Sequence, residues 1–288
     1  MIASFAYPIA KYGLAIIEPF TFAFYRFVLA SVVLLALTRL RRYKLAIEKR
    51  DYPHILFLGV LIIPFNQMLF LLGQSLTAAG HGAFLFATTP IVIFILALLH
   101  LRERFRWRRL VGVTMALAGV AAIMLSGAVD VGREYFWGDA IILVSVLAWA
   151  YYTVLGKPLV QKYGALRMTA YALTTGTVLY FPFGLYRAIR FDYSSATIAA
   201  WGAVAYMAIG LSLVVYVLWY WVLKYMEASR IAVFHNIQPV IATVVGCLWL
   251  GEQLGRTFVI GGLAVLAGLI VAETSSGRSK QDRQLAKQ

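Results

Sequence analysis

The chain has one cysteine, four histidines and twelve acidic residues among 288. A single thiol, Cys247, excludes a disulfide within the chain and leaves packing as its expected role. The histidines stand apart at positions 54, 81, 100 and 235, and no His-Glu-x-x-His, Gly-x-Ser-x-Gly or phosphate-binding loop occurs. Clustered metal ligands and a nucleophile beside its base are both missing, so neither an enzyme nor a bound metal or cofactor is expected. The carboxylates are confined to the flanks of the apolar runs, from Glu18, Glu48 and Asp51 to Glu273 and Asp282, so none stands in the middle of such a run. His81 and His235 are the groups that would titrate near neutrality, although a buried histidine is more often neutral and hydrogen-bonded.

Apolar residues make up 62% of the chain and charged ones 13%, with a mean hydropathy of +0.80, which places the protein in a bilayer. The net charge of +14 would suggest nucleic acid in a soluble protein, but the basic residues fall in short segments between apolar runs, so no nucleic-acid partner is expected. A membrane-spanning helix needs roughly 20 largely uncharged residues, because only a helix satisfies its own backbone in lipid. Nine stretches meet this: 19–38, 55–79, 82–101, 110–128, 140–156, 168–186, 201–223, 231–250 and 257–272. A tenth, at residues 1–10, is too short to cross alone and has no basic n-region or cleavage site of a signal peptide.

The chain repeats itself. An offset of 149 aligns residues 78–119 with 227–268 and matches Pro90 to Pro239, Glu103 to Glu252, Gly112 to Gly261 and Gly119 to Gly268. An offset of 146 nearer the start pairs Lys11 with Lys157 and Tyr25 with Tyr171. The expected organisation is a first repeat at 1–128, a second at 136–273 and a flexible, basic tail at 274–288. Against the second copy, whose helix begins near Gly138, the first helix lacks roughly ten residues; the expectation is a mis-assigned start or a trimmed chain, with an unusually short natural helix as the alternative. Five spans per repeat is an odd number, so the two copies must enter the membrane in opposite senses. Basic residues collect on the cytoplasmic side, and here they crowd 39–50, 102–109, 157–167, 224–230 and the tail. The opposite side holds Lys11, Arg133, Arg187, Arg190 and Arg256. Both termini are thus expected in the cytoplasm, with the chain in a cytoplasmic (inner) membrane.

Inverted repeats suit transport, since two similar bundles can rock about a midplane site. The segments "TTPIVIFILALLHLRERFRWRRLVGVTMALAGV" and "IQPVIATVVGCLWLGEQLGRTFVIGGLAVLAGL", with "EPFTFAFYRFVLAS" and "LAWAYYTVLGK", resemble the two copies of the EamA-like domain in the ten-helix branch of the drug/metabolite transporter superfamily. The resemblance covers nearly the whole chain and implies an all-α membrane fold of ten helices in two inverted five-helix repeats. It also implies movement of a small metabolite, of amino-acid, nucleobase or organic-cation type, with export the expected direction. Short four-helix relatives carry a glutamate in their first helix where this chain places Ala3 and Trp149, which argues against their antiport chemistry. A passive pore and a non-transporting assembly protein are the alternatives, and the chain could act as a monomer or a homodimer.

Candidate substrate-binding residues follow from helical spacing. Pro90 and Pro239 interrupt the fourth and ninth spans near mid-bilayer, freeing the carbonyls of Phe86 and His235 beside the expected central cavity. His235 and Gln238 share a face next to Pro239, and Thr89 stands at the matching place of the fourth span. Tyr216 and Trp219 belong to a polar-aromatic stripe with Ser212 and Tyr220 in the eighth span, while Gln67 lies in the third, Tyr171 in the seventh and Tyr25 in the second. Arg26, about 10 Å into its helix at 1.5 Å per residue, either holds a substrate carboxylate or reaches for the surface and Glu18. Glu103 and Glu252 are read as structural anchors of the turns after the fourth and ninth spans, each favoured by the dipole of the next helix.

Overall fold

A computed structural model of the chain describes residues 5, 9–10, 12–41, 47–77, 82, 85–126, 135–236 and 256–274. Gln238, Pro239 and Glu252 lie outside the described residues. Among those described there is no strand: the fold is all-α. The second to tenth spans are represented by α1 (Pro19–Leu40), α2 (Lys49–Leu76), α3 (Thr89–His100), α4 (Trp107–Ser126), α5 (Phe136–Tyr163), α6 (Ala165–Arg190), α7 (Ile198–Tyr225), the short α8 (Ala228–Ala232) and α9 (Arg256–Thr274). Of these, α1, α2, α5 and α7 are long and apolar enough to cross a bilayer outright, with 22, 28, 28 and 28 residues.

Equivalent helices of the two repeats meet one another antiparallel. Along α1 and α6, Glu18 meets Arg187, Phe20 meets Tyr180 and Ser31 meets Thr177, so the partner number falls as the first rises. Ser31 and Thr177 are 146 residues apart, repeat equivalents whose hydroxyls share a 2.9 Å hydrogen bond. Between α4 and α9 the seam is made of glycines. A Cβ on Gly112 would lie 2.5 Å from the carbonyl oxygen of Gly268, and one on Gly119 would lie 2.5 Å from that of Gly261. Under the 149 offset each contact is the other's mirror, so the duplicated sequence builds a pseudo-two-fold seam. Small residues let the two backbones approach closely, which is how membrane helices gain packing when water supplies no driving force between them.

Both third helices of the repeats carry the same irregularity. Leu61–Met68 within α2 and Met207–Val215 within α7 are π-helical, and they begin 146 residues apart. Pro64 supplies the cause in the first, since it has no amide to bond the carbonyl four residues back; Gly210 stands at the matching place in the second. The widened turns expose Asn66 and Ser212, again repeat equivalents, to the interior, where both are fully buried. The fourth span is broken as its proline requires: the helix gives way at Ala87 and Thr88 and restarts as α3 with Pro90 in its first turn. The ninth span tightens upstream of its own proline, from α8 into a 3-10 turn over Val233–Asn236.

Between α5 and α6 the chain reverses at Gly164, whose φ of +86° suits a residue without a Cβ. After α3 the reversal falls instead on Arg102, with φ of +51°, and the amide of Glu103 then turns back to the carbonyl of Ala97 at 3.2 Å. A left-handed backbone costs a residue with a side chain roughly 1–2 kcal/mol. Arg102→Gly is therefore expected to raise the melting temperature of the purified protein slightly and Arg102→Val to lower it; equal melting points would show that the turn is unstrained.

Candidate functional site

An aromatic group gathers where α5, α7 and the start of the ninth span meet. On α5, Trp149, Tyr152, Thr153 and Gly156 recur at helical spacing and face α7. Trp149 is buried, with its ring 5.2 Å from Tyr216, 5.6 Å from Tyr152 and 5.8 Å from Trp219 between centroids. Its indole nitrogen donates to Nε2 of His235 at 3.3 Å, which leaves the His235 proton on Nδ1. The half-buried Trp219 donates from its own indole to Thr153 at 3.2 Å and lies 4.6 Å from the His235 ring. Tyr152 stacks on Tyr220 at 4.9 Å, and the absence of a side chain at Gly156 makes room for the Tyr220 hydroxyl.

Arg26 of the first repeat enters this group from α1. It is fully buried, and its Nε donates to the Ser212 hydroxyl at 2.9 Å while its guanidinium lies 4.9 Å from the Phe27 ring centroid. Tyr216 is near enough to interact with it electrostatically. Beyond Tyr216, neither terminal nitrogen of Arg26 has a hydrogen-bond partner among the described residues. Snorkelling is excluded by this burial, and Glu18 is engaged elsewhere, with Arg187 at the start of α1.

The sequence candidates thus divide. Arg26, Tyr216, Trp219 and His235 come together. Thr89 is fully buried at the start of α3, and its hydroxyl has no partner among the described residues. Gln67 turns to Asn66 at 2.5 Å, and Asn66 in turn bonds the Ser145 backbone and hydroxyl, so Gln67 belongs to the α2–α5 contact. Tyr171 lies toward Arg167 and Tyr52. Tyr25 faces the connection after α6, sharing a 2.8 Å hydrogen bond with Tyr193 and packing 4.9 Å from Trp201. Trp149 was missed as a site residue, although its place opposite the glutamate of short relatives and its spacing with Tyr152 and Thr153 were legible.

A second cluster closes the end of the bundle that carries the basic loops. Glu103, 6% exposed at its side chain, accepts from the amides of Ala228 at 2.7 Å and Ser229 at 3.4 Å, and from the Ser229 hydroxyl. Lys157 reaches the same carboxylate at 3.3 Å, and the fully buried Arg109 reaches it at 3.8 Å. Arg109 completes the set with Glu227 and Ser229, each at 2.5 Å. The sequence expectation gave Glu103 to the dipole of the next helix, α4; its hydrogen bonds instead go to the first amides of α8, in the other repeat. Beside it, Lys162 bridges Glu48 at 2.7 Å and Asp51 at 2.6 Å. The hydrogen bond from Lys162 holds the exposed Glu48 carboxyl below its ordinary range, so this tie is present at neutral pH and is lost as pH falls through that lowered value. Two groups of charges therefore fasten the end of α5 to loops of the first repeat.

Comparison with known proteins gives a consistent picture. The model of the EamA-like transporter family matches residues 1–125 and again 136–274. An uncharacterized transporter of Archaeoglobus fulgidus is 29% identical over 262 residues, 90% of this chain and 89% of that one. The uncharacterized transporter YetK of Bacillus subtilis is 31% identical, covering 85% of this chain and 76% of its own. A probable terminal-alkyne amino-acid exporter of Streptantibioticus cattleyicolor is 29% identical over 81% of this chain and 77% of its own. One crystal structure superposes with a TM-score of 0.79 at 16% identity, covering 99% of this chain and 96% of that one, which shows the shared fold.

Proposed function

Because the chain belongs to the EamA-like transporter family, we propose that it carries a small metabolite across the cytoplasmic membrane by exposing one central site to each side in turn. The observation that carries this reading is the contact of Arg26 from one repeat with Ser212 and Tyr216 from the other, next to the aromatic group of Trp149, Trp219 and His235. A site shared between inverted repeats changes shape when the repeats rock, whereas a site within one repeat would not. The ionic cluster around Glu103 acts in this scheme as the closure of the cytoplasmic side. The basic loops at that end support both termini lying in the cytoplasm.

Export is the direction we assign, in keeping with the name of the Streptantibioticus cattleyicolor relative. With every carboxylate at a helix end or in a loop, the driving force is the solute's own gradient and charge, and no chemical conversion accompanies passage. Purified protein in liposomes is expected to give saturable uptake of members of an amino-acid, nucleobase and organic-amine panel, with counterflow when the same solute is preloaded inside. Flux that rises linearly without counterflow would indicate a pore and overturn the proposal; flux of none of the panel would favour an assembly role.

A further inference from the structure

We propose that the transported solute bears a carboxylate, which Arg26 takes end-on through its two terminal nitrogens. The inference rests on the transport reading above and narrows it. A guanidinium at this depth is costly, and proteins retain one there when it is paired or serves passage. Arg26 is fully buried and its Nε is spent on Ser212, yet beyond the Tyr216 phenol beside them the two terminal nitrogens, the end of the fork, have no hydrogen-bond partner among the described residues. No described carboxylate pairs with it either; Glu18 is held by Arg187, and Glu103 and Glu227 are held by Arg109.

With Tyr216 moved aside, that edge is a planar, two-pronged donor whose match is the two oxygens of a carboxylate. The count of charges narrows the class. One cation balances a singly charged carboxylate, whereas a phosphate monoester near two negative charges would call for a second. The 146 offset puts Ala172 opposite Arg26, so the other repeat supplies no second cation at the matching place. An amine without an acid group would meet a like charge in a low-dielectric setting and be rejected. Of the solute classes the sequence leaves open, amino-acid types fit, and organic cations and uncharged nucleobases do not; simple organic acids fit on the same chemistry.

Access is built into α7. Ser212 sits within the π-helical turn at Met207–Val215, and Tyr216 begins the regular helix after it. Such turns are frequent at functional sites and offer an alternative hydrogen-bond register, so a local return toward α-geometry would shift Ser212 and Tyr216 off the guanidinium.

The test compares matched triads in binding to purified protein in nanodiscs: leucine, leucinamide and isopentylamine, then phenylalanine, phenylalaninamide and phenethylamine, with benzoate and 4-methylvalerate as acids lacking an amine. At least one acid is expected to bind ten-fold or more tightly than its amide and its amine. Arg26→Gln should erase that preference, while Arg26→Lys retains part of it. Ser212→Ala, which leaves the charge in place, should keep the preference and alter affinity by less than ten-fold. Equal binding of acid, amide and amine to the unaltered protein, or binding by no acid, would overturn the assignment, and the unaltered protein gives this result whether or not the variants fold. Saturable counterflow of an amine or a nucleobase alone would leave the carrier standing and the carboxylate refuted, whereas absence of counterflow for every solute would remove the carrier itself.

Discussion

Glu103→Ala is expected to lower the melting temperature of the purified protein by roughly 10 °C, since removing one partner of a buried ionic group costs about 3–5 kcal/mol and each kcal/mol is worth about 2–4 °C in a chain of this size. The carboxylate satisfies two amides, a hydroxyl and two cations. Without it, Lys157 and the fully buried Arg109 lose a counter-charge and α8 loses the acceptor for its first amides. Glu103→Gln keeps the size and one acceptor oxygen, so its loss should be smaller. The double variant Glu103→Ala with Lys157→Ala should fall less than the sum of the single ones, because the lysine's charge is no longer stranded. Thermal unfolding followed by tryptophan fluorescence reads the parent, the three single variants (Lys157→Ala included) and the double one; a Glu103→Ala melting point equal to that of the parent would show that the cluster is held together by packing alone.

The glycine seam between α4 and α9 carries the second large effect. Gly268→Val would set a Cβ 2.5 Å from the carbonyl of Gly112 and 2.6 Å from the amide of Ala116, and Gly119→Val would set one 2.5 Å from the carbonyl of Gly261. The obstacles are backbone atoms, which have no rotamer to change, so each substitution must spread the helices. Overpacking of this kind costs roughly 1–3 kcal/mol and occasionally more. Since the two positions are images of one another under the pseudo-two-fold axis, the two falls in melting temperature should be similar. Gly202, with nothing within 4 Å of a built Cβ, is the control. Alanine there should be neutral or stabilising through helix propensity. A seam variant as stable as Gly202→Ala would contradict the close packing.

How much of this was legible in the chain differs from residue to residue. Composition and span length gave the membrane fold, and the offsets of 146 and 149 gave the two repeats, because duplication leaves matched prolines and glycines in plain order. Pro64 was visible as a proline within an apolar run, but the π-helical turn it sits in, and its twin around Gly210, emerge only when the hydrogen-bond register is seen. Arg26 stood out as a charge inside a span, yet its two readings were separated only by Glu18 turning to Arg187 and by complete burial. Helical spacing brought Tyr216 and Trp219 onto one face. It could not say that Trp149, 67 residues before Tyr216, would pack against them with tilted rings, nor that Tyr25 and Arg26, adjacent in sequence and about 100° apart around the helix, would face different neighbours. Glu103 was recognised as a turn residue, but the partner it caps lies 125 residues away, in the other repeat, and no local rule reaches that far.

The account depends on the two repeats parting at the basic end, and a distance across that end tests it most directly. Nitroxide labels at Arg104→Cys and Gln161→Cys, both exposed positions on opposite sides of the Glu103–Lys157 contact, can be read by pulsed electron resonance in nanodiscs after Cys247→Ala removes the native thiol. Two distance populations are expected, with the longer one gaining when Glu103→Gln is added. A single, narrow distance that this substitution leaves in place would mean that the ionic cluster is a fixed brace and that the repeats do not alternate.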